Sequence, residues 1–404
     1  MRDPAHGAIL IFGAGNIGRS FVGQIFGRAG YPPVFADIDH ELVAALNRDG
    51  SYVVVHRSPD GSESRLTVPA VSAVHADDPD EVNAVLRRVS LVATSVGAAV
   101  LPRILPLLTS EAVRRREAGE KPFDLILAEN IHGGGEMVRQ AMVKALPAGS
   151  ADDYYEGGIP HGSVPGVIEC SVGKMVPIVP EELRRREPTT VYAESFNTLL
   201  VDARGWTGMP PAVPEIRPVQ PIGAWVDRKL YIHNLGHAAT AYLGYLYLPG
   251  ITLIREAVED PSVRDAVYAV MTAAGEGLRR EYPGVFEDTD IDEHIADLLH
   301  RFGSPTLGDT IFRVGRDLRR KLAAGDRITG ALRLLQRHHL DTAPIEEVYR
   351  GALRFRAVDE AGKMFPDDER LLSELETTST PEKIIAAVSG FDLDADAELI
   401  ARLV

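Results

Sequence analysis

Residues 7–18 read GAILIFGAGNIG. Gly7 to Phe12 is a short apolar run bounded by glycine, the pattern of a buried parallel strand. Gly13-Ala14-Gly15-Asn16-Ile17-Gly18 follows, and Ile17, Phe21, Val22, Ile25 and Phe26 then recur at helical spacing. A strand, a GxGxxG turn and an amphipathic helix form the context that a dinucleotide fingerprint requires. The first glycine makes the turn, the second lets a pyrophosphate approach the backbone, and the third lets helix and strand pack closely. The pyrophosphate is expected at the positive end of the helix, over Gly13 to Gly18.

The next strand pattern, Pro33 to Ala36, ends in Asp37, 19 residues after Gly18. An acidic residue at about this distance accepts hydrogen bonds from the adenosine ribose hydroxyls. Its charge repels a 2′-phosphate, Asp39 follows, and no arginine comes before Arg48. The expected cofactor is NAD rather than NADP.

Strand and helix patterns then alternate. Tyr52–His56 and Ser64–Val74 read as a hairpin inserted into the wound sheet. Asp78–Arg88 and Leu101–Ala118 read as helices, Ser90–Val96 and Phe123–Ala128 as buried strands, and Glu136–Leu146 as a helix. Val172–Val179 and Thr189–Val201 read as further strands, the second extending the sheet through Glu194 and Phe196. In open parallel sheets, functional residues gather beyond the C-terminal strand ends. Val96, in the small-residue stretch 94–97, is expected to let the nicotinamide half of the cofactor pass, and Glu129 ends the next strand beside it. Asn130 suits either holding a substrate oxygen or capping the following turn.

Residues 204–221 contain five prolines, and the domain boundary is placed there. The expected architecture is α/β: a Rossmann-type doubly wound sheet domain with extra strands over residues 1–205, then a mainly α-helical domain over 206–404. Helical periods run through Ala238–Leu248, Ser262–Glu281, Ile291–Phe302, Thr310–Ala324, Ile328–His338, Pro344–Phe355 and Pro381–Val388.

A length of 404 residues favours two domains, and 45% hydrophobic with 25% charged residues is a soluble globular composition. A net charge of −15 argues against general nucleic-acid binding. No apolar run reaches the length of a membrane span, and the N-terminus lacks the pattern of a signal peptide. The single cysteine, Cys170, excludes an internal disulfide and a multi-cysteine zinc site. A cytoplasmic location is expected.

The stretch Asp227 to Gly244, DRKLYIHNLGHAATAYLG, places a lysine, two histidines and an asparagine ahead of an Ala- and Leu-rich helical run. Wound as an α-helix, about 100° per residue puts Lys229, His233 and His237 at roughly 0°, 40° and 80°, with Asn234 near 140°. A structural helix would fill such a face with apolar residues. Oxidation of an alcohol by a nicotinamide needs a group to remove the hydroxyl proton. Zinc is disfavoured by the lone cysteine and by HNLGH, which lacks a glutamate after its first histidine. No Tyr-x-x-x-Lys pair occurs at any of the 12 tyrosines. Lys229 remains as a base, provided burial lowers its pKa from about 10.4 toward 7–8; taken alone it reads as a solvated surface lysine, and the asparagine and histidine at this spacing tilt the reading to the base. Asn234 and Asn130 suit donation to the developing alkoxide, and His237 suits a neighbouring hydroxyl.

The pattern Lys229-x4-Asn234-x2-His237 resembles the signature of the polyol-specific long-chain dehydrogenases, the mannitol dehydrogenase family. Phe12-Gly13-Ala14-Gly15-Asn16-Ile17-Gly18-Arg19, Phe35-Ala36-Asp37, Arg228-Lys229-Leu230 and Gly236-His237-Ala238 resemble its mannitol-1-phosphate 5-dehydrogenase branch. Arg313-Val314-Gly315-Arg316 and Arg320-Lys321-Leu322 do so too. The resemblance spans about residues 8 to 360. It implies a zinc-free NAD enzyme with Lys229 as base, Asn130 and Asn234 as the oxyanion site, His237 binding substrate, and a monomeric or weakly dimeric chain. Two stretches depart from the family pattern. Gly173-Lys174-Met175-Val176-Pro177 stands where an Asp-Arg pair is common, and His132-Gly133-Gly134-Gly135 is unusually glycine-rich. Both leave the polyol open.

Between Arg313 and Arg327 lie six basic residues and two aspartates. In one helix, Arg313, Arg316 and Arg320 would share a face. They suit a sugar-phosphate anchor or salt bridging between domains, without preference. The expected activity is interconversion of mannitol 1-phosphate and fructose 6-phosphate. The alternatives are a dehydrogenase of a free polyol or sugar acid, and a catalytically silent NAD-binding redox sensor.

Overall fold

The computed structural model describes residues 7–58, 60–129, 131, 133–146, 154–177 and 181–404. They form two compact units, Met1–Val226 and Asp227–Val404.

The first unit is built on strands β1 (Ile9–Phe12), β2 (Pro33–Asp37), β3 (Ser51–Arg57), β4 (Glu63–Pro69), β5 (Ser72–His75), β6 (Leu91–Thr94) and β7 (Asp124–Leu127). β8 (Tyr155–Glu156), β9 (Ile159–Pro160), β10 (Gly166–Ser171), β11 (Val191–Glu194), β12 (Leu199–Asp202) and β13 (Ile216–Val219) follow. The large sheet runs β13-β12-β10-β7-β6-β1-β2-β5. From β10 to β5 every pairing is parallel, and β12 runs antiparallel to β10.

All four residues of β1 are buried, because helices cover both faces of the sheet. Ile9 and Ile11 pack with Phe21, Ile25 and Tyr52 on one face. Leu10 and Phe12 pack with Val82, Leu101 and Leu105 on the other. The register sets Phe12 beside Ala36 and Thr94, and Thr94 beside Leu127. Gly13, Asp37, Ser95 and Ala128 therefore emerge along one edge. β2 and β6 flank β1 on opposite sides, so this edge holds the topological switch point where ligands of such sheets bind.

Three strand expectations are corrected. Ser64–Val74 is two strands: Ala70, at φ 58°, turns the chain between them. β4 joins β3 in a separate three-stranded sheet with β11, while β5 becomes the edge of the large one. Thr189–Val201 likewise divides, with β11 in the small sheet and β12 in the large one, so Glu194 ends β11 in the small sheet and Phe196 lies in neither strand. The strand placed at Val172–Val179 is instead β10; residues 172–177 are not strand, and 178–179 lie outside the described residues. Gly166 leads β10. A Cβ there would lie 2.2 Å from Asp124 Oδ1 and 2.6 Å from the Gly205 carbonyl, so glycine is what lets the strand pass.

The proline-rich stretch expected to separate the domains belongs to the first unit. Trp206 and Val213 lie in its core, and β13 pairs parallel with β12. Residues 206–226, assigned to the second domain in the sequence reading, are thus sheet-domain residues.

The second unit is helical and packs around Leu235–Tyr247, in which Leu235, Gly236 and Ala238–Gly244 are buried. Small residues are needed there. A Cβ on Gly236 would lie 2.6 Å from Met271 Sδ, and one on Gly244 would lie 2.7 Å from the Ala257 Cβ. Helices Pro261–Glu281, Ile254–Glu259, Ile311–Gly315 and Ala343–Leu353 enclose it.

The helix expected over Thr310–Ala324 is broken into Ile311–Gly315 and Leu318–Lys321. Between them Asp317 adopts a left-handed conformation, φ 72°. The buried carboxylate of Asp368, on helix Pro366–Thr377, accepts from the Asp317 N–H at 2.9 Å and the Leu318 N–H at 2.6 Å. These two bonds replace helix hydrogen bonds and fix the break. Arg313, Arg316 and Arg320 therefore do not share one helix face.

Candidate active site

In the first unit the three glycines of the turn differ in their surroundings. Gly13 has φ 93°, and a Cβ on it would lie 2.7 Å from the Ser95 carbonyl. A Cβ on Gly18 would lie 2.0 Å from the Gly13 carbonyl, whereas one on Gly15 would meet nothing within 4 Å. Turn, open approach and close packing are thus divided among Gly13, Gly15 and Gly18 as a dinucleotide cradle needs.

Asp37 is tied to this turn. Its Oδ2 accepts from the Ala14 N–H at 2.6 Å and its Oδ1 from the Asp39 N–H at 3.0 Å. Asp39 caps the next helix by accepting from Glu41 and Leu42, rather than reinforcing the ribose site. Arg19 is buried beneath the turn, its Nε donating to the Ala14 carbonyl at 2.6 Å and an Nη to the Pro188 carbonyl at 3.0 Å. Burial lowers its pKa to about 10. The helix after the glycines, containing Asn16 and Ile17, runs through a π-helical turn at Gly18–Gly23. Glu129 is buried and its two oxygens accept from the Val96 and Gly97 N–H groups at 2.9 and 2.8 Å. Val96 and Glu129 thus form one braced loop at the end of β6. Asn130 and His132 lie outside the described residues.

In the second unit, Lys229–Asn234 is also a π-helical turn, leading into Leu235–Tyr247. This changes the angular reading made for a pure α-helix. A π-turn bonds residues five apart, so Lys229 and Asn234, which α-winding would separate, become neighbours one turn apart. Lys229 is partly buried, and its pKa falls to about 8, first from burial and then from the Arg327 guanidinium. That value suits a general base near neutral pH. Arg327 also reaches the Asn234 carbonyl at 3.5 Å. The Asn234 side chain is partly buried.

His237 stacks on Phe302, ring centroids 4.8 Å apart and planes 12° apart, with Nε2 lying 3.3 Å from Asp309 Oδ2. Burial, then Arg313, Arg327, Lys321 and Arg301, bring its pKa to about 3. His237 is therefore neutral and sits in a field dominated by cations. His233 is buried against the same Phe302, and burial with Arg301 and Lys229 pushes its pKa well down. Among the described residues no group of three His, Cys, Asp or Glu side chains could hold a metal ion.

Most of the arginine cluster is engaged within the unit. Arg313 pairs with Asp309, Arg319 with Glu374, Arg320 with Asp317 and Asp326, and Arg327 with Asp326. Arg316 lies 5.8 Å from the Phe312 ring and 5.7 Å from that of Phe365.

Two further residues belong with these: Asp309, absent from the sequence analysis, and Lys321, named there only as part of the basic run. Lys321 is buried, its Nζ donates to the Arg316 carbonyl, and burial beside Arg327 and Arg320 lowers its pKa to about 7. Asp309 joins His237 to Arg313. Neither carries a sequence signal of its own, since an arginine-rich run hides one lysine and a loop aspartate looks like a turn residue.

The mannitol dehydrogenase Rossmann domain matches residues 7–213, and the mannitol dehydrogenase C-terminal domain matches residues 221–404. The chain belongs to the mannitol dehydrogenase family. As a member it is an NAD-dependent dehydrogenase acting on the CH–OH group of a polyol. Two solved structures share its fold. A D-sorbitol dehydrogenase in substrate-free form is 16% identical at a TM-score of 0.70, covering 99% of this chain and 96% of that one. Mannitol 2-dehydrogenase from Pseudomonas fluorescens, in ternary complex with NAD and D-mannitol, is 16% identical at a TM-score of 0.71. There the coverage is 98% of this chain and 94% of that one. No helix among the described residues is long and apolar enough to cross a membrane.

Proposed function

We propose that this mannitol dehydrogenase family member interconverts a polyol phosphate and a ketose phosphate, as in mannitol 1-phosphate and fructose 6-phosphate. NAD, held by Gly13 to Gly18 and Asp37, supplies the hydride acceptor. Neutral Lys229 takes the hydroxyl proton at Nζ as the C–H bond breaks. Asn234 donates to the oxygen that gains charge, and His237 holds a neighbouring hydroxyl. Asn130 takes the second donor position by family resemblance alone.

The observation supporting a phosphorylated substrate is the electrostatic surroundings of His237. Arg313, Arg327, Lys321 and Arg301 all act on it. Burial is the larger cause of the low His237 pKa, but four cations acting on one ring favour an anion nearby, and guanidinium groups match phosphate oxygens well. The observation favouring a free polyol, or a sugar acid in place of the phosphate, is that Arg313, Arg320 and Arg327 already pair with aspartates.

Steady-state NADH formation with mannitol 1-phosphate, mannitol and mannonate separates these readings. The phosphate reading expects kcat/KM for mannitol 1-phosphate to exceed that for mannitol by about 100-fold, the worth of one or two charge-assisted hydrogen bonds. Equal or better turnover of mannitol overturns it.

A further inference from the structure

The Asp309 carboxylate serves two residues. Oδ2 lies 3.3 Å from His237 Nε2, and Oδ1 accepts from Arg313. The backbone holding it is fixed: its carbonyl accepts from the Ile254 N–H at 2.9 Å, and the next residue, Thr310, bridges to Leu253. The Asp309 side chain is 7% exposed. His237 Nε2 is shut off from solvent and has no aligned hydrogen-bond partner, so the Asp309 carboxylate at 3.3 Å meets it as a charge contact. Phe302 sets the plane of the imidazole by stacking, and Asp309 sets which edge faces inward.

The ring is neutral, so it carries one N–H. A carboxylate only accepts, and Arg313 on the same carboxylate offsets the charge that would otherwise draw a second proton onto the ring. The lower-energy arrangement puts the single N–H on Nε2, facing Asp309, and leaves a lone pair on Nδ1.

We infer that Asp309 is a positioning residue that locks His237 in its Nε2–H tautomer, so that His237 meets the substrate as a hydrogen-bond acceptor and selects a free hydroxyl there. The inference rests on His237 contacting the polyol, as proposed above. A substrate whose hydroxyl at that carbon is replaced by an ether or a carbonyl offers no donor and is refused. An asparagine at 309 has both a donor and an acceptor to offer. With its amide N–H toward Nε2, it moves the ring proton to Nδ1 and turns the substrate-facing nitrogen from acceptor into donor.

The test joins nitrogen-15 NMR of the imidazole, the His237 signals assigned by loss in H237Q, with kinetics of D309N, D309E and R313Q. The two-bond proton–nitrogen pattern reports which nitrogen carries the proton without any substrate present. Wild type and R313Q are expected to show the Nε2–H form, and D309N the Nδ1–H form or a mixture. D309N is expected to lose about 10- to 100-fold in kcat/KM, the worth of one hydrogen bond to a charged group, and D309E to recover part of it. A structural role alone would make R313Q and D309N alike in tautomer, since both break the ion pair. An Nδ1–H tautomer in the active wild type, or D309N with unchanged tautomer and activity, overturns the inference. A wild type with the Nε2–H form but no NADH formation from any polyol overturns the proposed function, and with it the hydroxyl selection.

Discussion

Two π-helical turns, Gly18–Gly23 and Lys229–Asn234, stand at the functional ends of the two units and use the same winding in opposite ways. The first is buried at every residue. It acts through its backbone, and a buried side chain from a neighbouring strand bonds into it: the Tyr52 hydroxyl donates to the Arg19 carbonyl at 2.7 Å. Insertion of this kind into the helical ladder is a recognised cause of local distortion. The second turn leaves Lys229 and Asn234 only partly buried. In the proposed function it acts through side chains, because bonding five residues apart aligns groups that an α-helix would spread. A widened turn can thus admit a close approach to the backbone, or gather side chains on one side.

The contrast predicts different failures. Lys229→Ala is expected to lower kcat by about 10³-fold while NADH affinity, read by fluorescence titration, stays near wild type. Normal turnover would remove the side-chain role from the second turn. In the glycine motif that leads into the first turn, Gly15 and Gly18 should separate. Gly18→Ala, whose Cβ would lie 2.0 Å from the Gly13 carbonyl, is expected to cost about 3 kcal/mol of stability, seen in thermal unfolding. Gly15→Ala is expected to unfold normally yet weaken NADH binding about tenfold, or 1.4 kcal/mol. Equal stability loss in both would contradict the division of roles.

The pH profile sharpens the second turn. Lys229, with a pKa of about 8, must be neutral to accept a proton. Polyol oxidation should therefore fall about tenfold per pH unit below that value, while ketose reduction, which needs the protonated lysine, should fall above it. Arg327 is one cause of the low value, so Arg327→Gln is expected to move both limbs to higher pH. Limbs that stay in place would mean another group is titrating. The smallest effect concerns the first turn. Tyr52→Phe removes one buried hydrogen bond and should cost about 1 kcal/mol of stability, with turnover unchanged at saturating NAD.

The nucleotide half was readable because its signals are local. Gly13, Gly15 and Gly18 each have the environment their spacing implies, and Asp37 ends β2 where register places it beside the turn. What failed there was long-range. Nothing local tells that residues 191–194 and 199–202 enter different sheets, or that the prolines after Arg204 precede one more strand of the same sheet. In the helical half, Lys229, Asn234 and His237 stood out as polar residues on an apolar helix. Their relative placement was misjudged, since a π-turn leaves no mark in periodicity. Asp309, Lys321 and the break at Asp317 were invisible for a related reason: each depends on partners distant in sequence, Asp368 being 51 residues from Asp317.

That last link gives the region beyond residue 360 a bearing on chemistry. Truncation ahead of Phe365 would remove the acceptor of the Asp317 and Leu318 amides, the acid paired with Arg319, and one of the two rings beside Arg316. Each orphaned buried amide costs about 1–3 kcal/mol. The loop carrying Lys321 would be freed. A shortened chain would lose these ties in the helical unit, whereas the glycine turn and Asp37 belong to the other unit, so cofactor binding is a poor assay of whether a preparation is intact.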